Sequence, residues 1–333
     1  MPLQTRILDA SLPEAVAEAA EIINRGGLVA FPTETVYGLG ADACNPIAVA
    51  RIFEVKRRPA FDPVIVHVGD PASALLYGDC AGGLAQALIR TFWPGPLTLV
   101  VPKTVVVPPV VTAGLDTVGI RMPANRVALS LIRACGRAIA APSANPFGYV
   151  SPTEAGHVAD QLEGVDLILD GGRCPVGVES TILSLAGPQP CLLRSGGVPA
   201  EELEPLTGPL LWSTEGNSRP DSPGQLARHY ATRTPLRIKD GPRTPVVPRR
   251  GERVGLLSLL PPADAKEYAA VEVLSVSGDL REAAANLFAA LRRLDALGLD
   301  RLEARRVPET GLGIAIMDRL RRCAQPDCAE KRA

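Results

Sequence analysis

Apolar positions along this chain recur with two periods, and the switching between them outlines the architecture. From Pro13 to Asn24 they fall at helical spacing. Ser11-Leu-Pro-Glu14 has the spacing of a capping box, Pro13 suits a first turn, and Gly26-Gly27 can end the helix. "LVAF" (28–31) then predicts a short buried strand. Pro46 opens a second helix over "PIAVARIFEVKRR", stopped before Pro59 because a residue preceding proline is driven out of helical backbone. "VIVHV" (64–68) predicts a strand, "GGLAQALIRTFW" a helix and "LTLVV" (97–101) a strand. There follow the strand "VGIRM" (118–122), a helix around 126–135, the strand "AIAAP", a helix opened by Ser151-Pro-Thr-Glu154, and the strand "LILD" (167–170).

Strands alternating with helices predict an α/β layered domain with a twisted, mixed sheet, and the pattern continues through "ESTILSL". Beyond it the chain turns rich in Pro, Gly, Ser, Thr and Arg and loses its periodicity, as a long linker does. "RVGLLSL" starts a second alternation. "VEVLSV", the helix "DLREAAANLFAALRRLDALG" and "GLGIAIMDRLRRCA" complete a small Rossmann-like α/β unit. The boundaries fall at 1–207, 208–250 and 251–333.

Composition narrows the function. A chain of 333 residues is long enough for about two domains. Its 35 basic and 36 acidic side chains argue against a general polyanion binder while allowing a local basic pocket. Seven scattered cysteines form no CxxC pair, and the three histidines lie far apart, so neither a zinc site nor a disulfide framework is expected. The N-terminus has no apolar signal region and no run of about 18 apolar residues occurs, so a cytoplasmic protein without a membrane span is expected.

Polar groups gather where α/β sheets place their ligands, at strand ends beside glycine or proline. "FPTETVYGLG" departs from an apolar run with two threonines and a glutamate. "KRRP" sets Lys56, Arg57 and Arg58 at a helix end, "VIVHV" holds His67, and Arg121 sits inside the apolar "VGIRMP". "APSANPFGYVSPT" carries Ser143, Asn145 and Ser151; "VESTI" carries Ser180 and Thr181; "LLRSGG" carries Arg194 and Ser195. Singly, several have plain explanations. Lys56–Arg58 fit a solvated C-terminal turn favoured by the helix dipole, and Ser151 fits a helix cap. Arg121 is harder to explain so, because a charge among apolar neighbours needs an anionic partner, either a structural carboxylate or a ligand. No GxSxG elbow, paired-carboxylate constellation or Gly-Lys dipeptide occurs, which disfavours hydrolase chemistry and excludes a Walker A site. The residues point to an anion-binding α/β enzyme that handles a nucleotide and an amino acid.

The ordered set "FPTETVYGLG", "KRRP", "PVIVHV", "WPGPLTLV", "TVGIRMP", "APSAN", "SPT", "ESTI" and "LRSGG", with "SPGQLARHYA" in the linker, resembles the YrdC-type threonylcarbamoyl-AMP synthases in their longer two-domain form. The resemblance spans essentially the whole chain. It implies a YrdC-like twisted sheet and a reaction in which L-threonine, bicarbonate and ATP give threonylcarbamoyl-adenylate and pyrophosphate. Mg2+ would be held mainly through the ATP phosphates with no dedicated protein ligands, and the product would pass to proteins that modify tRNA adenosine 37.

By motif, Thr35, His67, Arg121 and Thr181 resemble threonine ligands, while Lys56 and Arg58 resemble catalytic ligands of the triphosphate. Asp62, Thr117, Ser143, Asn145, Ser151, Arg194, Ser195 and the linker's Tyr230 fall on the ATP side. Gly38 and Gly40 would let backbone approach the ligand. Glu34 is left without a role. Asp62 stands where asparagine is common, Asn125 where histidine is frequent, Phe147 where a small polar residue is usual, and Thr232 where proline is common. Two competing readings are a carbamoyl-adenylate enzyme with another acceptor, as in the much larger hydrogenase-maturation proteins, and an RNA-binding module. Near-neutral charge and a 4% aromatic content count against the second, so direct tRNA binding is expected to be weak or absent.

Overall fold

In a computed structural model, which describes residues 5–213, 222–224, 229–239 and 251–325, the apolar runs become strands and the helical patterns become helices. The chain divides into two units. The first takes Met1–Phe147, Ser151–Pro175 and Glu179–Leu226; the second takes Gly148–Val150, Val176–Val178 and Ala227–Ala333. Gln225–Arg228, part of the linker motif, and 240–250 lie outside the described residues.

The first unit runs β1 (Ile7–Asp9), α1 (Pro13–Asn24), β2 (Val29–Phe31), β3 (Gly38–Asp42), α2 (Pro46–Lys56), β4 (Val66–His67), α3 (Gly83–Phe92) and β5 (Leu97–Pro102). It continues with β6 (Thr117–Arg121), α4 (Arg126–Cys135), β7 (Ile139–Ala140), α5 (Ala155–Ala159), β8 (Leu167–Asp170), β9 (Thr181–Ser184), β10 (Cys191–Arg194), α6 (Ala200–Thr207) and β11 (Leu211–Trp212). Among the described residues these strands form one mixed sheet in the order β1-β8-β2-β3-β7-β4-β6-β5-β9-β10-β11. Alternation along β6 sends Val118 and Ile120 into a core with Val66, Leu97, Leu99 and Val101, and turns Thr117, Gly119 and Arg121 to the other face. His67 is the parallel register partner of Arg121 and shares that face. Ile65, Val100 and Ile182 form its apolar floor.

Several local details differ from the sequence pattern. Helix α1 begins one residue late: Leu12 is its cap without a side-chain bond, and the Ser11 amide donates to Asp9 at 2.8 Å. Pro13 at the first helical position sets that start. Gly38–Asp42 is strand, and Gly40 is required by packing, since a Cβ there would lie 2.7 Å from the Phe31 ring. At Gly38 a Cβ would meet its nearest neighbour, Ala141 Cβ, at 3.3 Å. Asn125 caps α4 by accepting from the Val127 and Ala128 amides at 2.9 and 3.2 Å, which accounts for asparagine at that position.

The second unit holds β12 (Leu236–Lys239), β13 (Val254–Ser258), β14 (Ala270–Val273), α7 (Leu280–Asp295), β15 (Arg301–Arg305) and α8 (Leu312–Cys323). Its described strands are all parallel, in the order β12-β15-β13-β14, as the second βα alternation predicts. Two strands lie within the range drawn as linker. Leu211–Trp212 pairs with β10 of the first sheet and Leu236–Lys239 with β15 of the second.

Candidate functional site

The loop between β2 and β3 is built by Thr33, whose hydroxyl donates to the Val36 carbonyl at 2.6 Å and accepts from the Thr35 and Val36 amides. This turn presents Glu34 and Thr35 to the face that carries Arg121. Arg121 is 3% exposed. Its Nη1 donates to Thr35 Oγ1 at 3.0 Å and its Nε to the Gly95 carbonyl at 3.2 Å. Its Nη2 lies 2.6 Å from Glu34 Oε1, an ion pair by distance, yet off the hydrogen-bonding direction. The next carbonyl along, that of Pro96, accepts from the Thr181 amide at 2.9 Å, so Thr181 stands next to this group. Its hydroxyl is occupied, donating to the Val198 carbonyl and accepting from the Val198 amide.

A second cluster forms at the end of α2. Arg57 takes a left-handed conformation (φ 51°), which ends the helix and frees Arg58 to turn back. Lys56, 1% exposed, donates through Nζ to the Ser143 carbonyl at 2.6 Å and to that of Asn145. Arg58 donates to the Asp62 and Pro63 carbonyls, pairs with the Asp62 carboxylate at 2.9 Å, and lies over the Phe147 ring at 5.9 Å. The acid at 62 and the aromatic at 147 thus both serve Arg58. Two segments join the clusters. Asp62 to His67 runs from one to the other, and Ser143 bridges to Gly38 at the end of the threonine loop.

Arg194 extends the cationic side. Its Nε and Nη2 reach the Ser180 carbonyl at 3.1 and 2.9 Å, and its Nη1 reaches that of Pro223 at 3.2 Å. Ser195 follows it, half-buried. Thr117 lines a cavity of about 10 Å³ over the sheet floor, with Thr98, Gly119, Ile182, Ser222 and Pro223; that is about one water's room. Ser151 does not cap α5, whose cap position is Glu154; its hydroxyl instead donates to Glu179 Oε1 at 2.6 Å. Gly196 is fixed by the same packing, because a Cβ would lie 2.3 Å from the Glu179 carbonyl and 2.4 Å from the Thr181 amide. Gly196→Ala is expected to cost about 1–3 kcal/mol in a denaturant titration and to weaken nucleotide binding through the displaced Arg194.

Burial sets the protonation states. It pulls His67 down to about 3, with the Arg121 charge adding to the effect, so the imidazole is neutral. Lys56 is also lowered, by burial and then by Arg58, against the pull of Asp62. Asp62 is raised by burial, opposed by Arg58, Lys56 and Arg194. The signs give a test. Between pH 3 and about 6.5 the unfolded chain protonates His67 and the folded chain does not, so His67 lowers stability as pH falls through that range. Relative to His67→Gln, the wild-type protein is expected to lose about 2 kcal/mol between pH 7 and pH 5; parallel stabilities would refute a neutral imidazole.

The structure thus gathers Thr35, His67, Arg121 and Thr181 in one group. Lys56, Arg58, Asp62, Ser143 and Asn145 form the adjoining one, flanked by Arg194 and Thr117. Tyr230 belongs to the second unit, where its ring is buried, stacks on Phe288 at 5.5 Å and lies under the Arg319 guanidinium at 5.2 Å. Thr232, in the same unit, donates to the Thr234 carbonyl at 2.6 Å. Two carboxylates gained meaning only from the fold: Glu34 as the partner of Arg121, and Glu179 as that of Ser151. Glu179 directly precedes Ser180-Thr181 in "ESTI", so the motif contained it without assigning it.

Comparison with known proteins covers both units of the chain. The family model described as Telomere recombination (Sua5/YciO/YrdC) matches residues 21–196, and that described as threonylcarbamoyl-AMP synthase, C-terminal domain, matches 198–325. The threonylcarbamoyl-AMP synthase of Pyrococcus abyssi is 44% identical over 322 residues, covering 92% of this chain and 93% of its own. That of Bacillus subtilis is 43% identical over 320 residues, covering 93% and 92%. The crystal structure of P. abyssi Sua5 complexed with L-threonine aligns with a TM-score of 0.87 at 41% identity, over 94% of this chain and 95% of that one. E. coli YciO shares the fold, with a TM-score of 0.51 at 24% identity over 59% of this chain and 96% of its own. With both models matched in succession and relatives aligned nearly end to end, the chain belongs to the two-domain threonylcarbamoyl-AMP synthase family.

Proposed function

We propose that this protein is an L-threonylcarbamoyladenylate synthase, a nucleotidyltransferase that condenses L-threonine, bicarbonate and ATP to threonylcarbamoyl-adenylate and pyrophosphate. The observation that carries the reading is the adjacency of two buried clusters in the first unit: the Arg121–Thr35–His67 group, with a guanidinium for a carboxylate, and the Lys56–Arg58–Arg194 group, charged for phosphate. Arg121 takes the threonine carboxylate, and neutral His67, with an unpaired Nδ1, offers a hydrogen bond without a competing charge. The threonine ammonium gives up a proton, and the free amine condenses with bicarbonate to a carbamate and water; a carbamate oxygen then attacks the α-phosphorus as pyrophosphate departs. Lys56 and Arg58 stabilise the charge that builds on the phosphates, so positioning and electrostatics do the work.

No cluster of three or more metal-ligating side chains occurs among the described residues. Mg2+ would be carried by the ATP phosphates, and Asp62, paired with Arg58 at 2.9 Å, is the carboxylate of this cluster. The metal would neutralise phosphate charge. The product serves proteins that transfer the threonylcarbamoyl group to tRNA adenosine 37, a cytoplasmic process. No helix among the described residues is long and apolar enough to cross a membrane. Incubation with labelled threonine, bicarbonate and ATP is expected to release pyrophosphate only when all three are present; release independent of threonine or bicarbonate would refute the reading.

A further inference from the structure

Glu34 is 6% exposed, and neither of its carboxylate oxygens accepts a hydrogen bond. Its neighbour Arg121 satisfies Nη1 and Nε on neutral acceptors but leaves Nη2 without one. Three strong hydrogen-bonding atoms on the two sides of one buried ion pair are therefore unused, an arrangement that is costly unless something completes it. A pair kept only for stability would be expected to align its donor with its acceptor.

The charges say what fits. His67 beside the pair is neutral, and burial raises the Cys174 thiol to about 12, so it too is uncharged at pH 7. The local charge is thus Arg121 plus Glu34, summing to zero. An isolated carboxylate entering this space would leave an excess negative charge, and an isolated amine an excess positive one. A zwitterion leaves the sum unchanged and supplies both missing partners: an acceptor for Nη2 and a donor for the Glu34 oxygens.

We infer that the Arg121–Glu34 pair opens to seat a free α-amino acid, with the ligand's carboxylate on Arg121 and its ammonium on Glu34. Glu34 is then a specificity-determining residue for the amino end of the substrate. This rests on the threonine reading above and adds a second charged contact to it.

The test is calorimetric titration of the full-length protein with L-threonine, 3-hydroxybutanoate (which lacks the ammonium) and threoninol (which lacks the carboxylate). The wild-type protein is expected to bind threonine about tenfold or more tighter than either analogue. Glu34→Gln, folded by its thermal melt, is expected to bring threonine down to the affinity of 3-hydroxybutanoate while leaving the latter unchanged or tighter. If the variant does not fold, the wild-type preference for threonine over 3-hydroxybutanoate decides. The inference is overturned if wild-type protein takes 3-hydroxybutanoate as tightly as threonine, or if Glu34→Gln keeps threonine's affinity. It is also overturned if the variant loses both acids equally, as a mere prop for Arg121 would. Failure of wild-type protein to bind threonine at all would instead remove the threonine reading, and this inference with it.

Discussion

Arg121→Ala is expected to abolish threonine binding and to cost the fold about 3–5 kcal/mol. The large figure follows from what remains: Glu34, 6% exposed and already without a hydrogen-bond donor, would lose its counter-charge, and removing one member of a buried pair carries that penalty. Arg121→Lys is expected to recover part of the stability and little of the binding. An ammonium can face Glu34, but it cannot reproduce a planar fork that reaches Gly95, Thr35 and a substrate carboxylate together. Denaturant unfolding and threonine calorimetry on the two variants separate these effects. Equal threonine affinity in wild-type protein and Arg121→Ala would remove Arg121 from the site.

Lys56→Ala should behave in the opposite way, keeping threonine and losing chemistry. Pyrophosphate release is expected to fall by about 10²–10³, the usual cost of deleting one preorganised charge stabiliser, with threonine affinity within a factor of about two because Lys56 lies in the other cluster. Its environment adds a second signature. Burial and Arg58 lower its proton affinity, and an arriving triphosphate must raise it again. ATP binding at alkaline pH is therefore expected to take up a proton, detected as a heat that varies with the buffer's ionisation enthalpy. The uptake should vanish in Lys56→Ala. A variant that turns over normally would assign the lysine to loop support alone, through the carbonyls of Ser143 and Asn145.

The legible parts of this molecule are those in which local pattern and global fold agree. Period-two and period-3.6 runs gave the α/β alternation, and Arg121 stood out because a charge inside "VGIRM" has no local explanation. β3 was hidden because Gly38 and Gly40 suggest a loop, whereas Gly40 is small to admit Phe31. β15, "RLEAR", lacks an apolar stripe, yet its charges are satisfied laterally: Glu303 meets Lys239 at 3.0 Å and Arg301 at 3.1 Å, and Arg305 meets Asp264 at 2.5 Å. The partnerships Arg121–Glu34 and Ser151–Glu179 join residues 87 and 28 positions apart, and no local spacing encodes such a meeting. The family resemblance supplied the list of candidates; the fold supplied which atoms of each are already taken, as with the Thr181 hydroxyl.

The pairing of β12 with β15 bears on how the protein can be dissected. A fragment cut at Gly251 would strip β15 of its neighbour and bare a row of backbone amides and carbonyls, an invitation to intermolecular association. It would also remove Tyr230 from between Phe288 and Arg319, hollowing the interior. A C-terminal piece that keeps this packing must start upstream of His229, so residues 229–239 fold with the module they lead to.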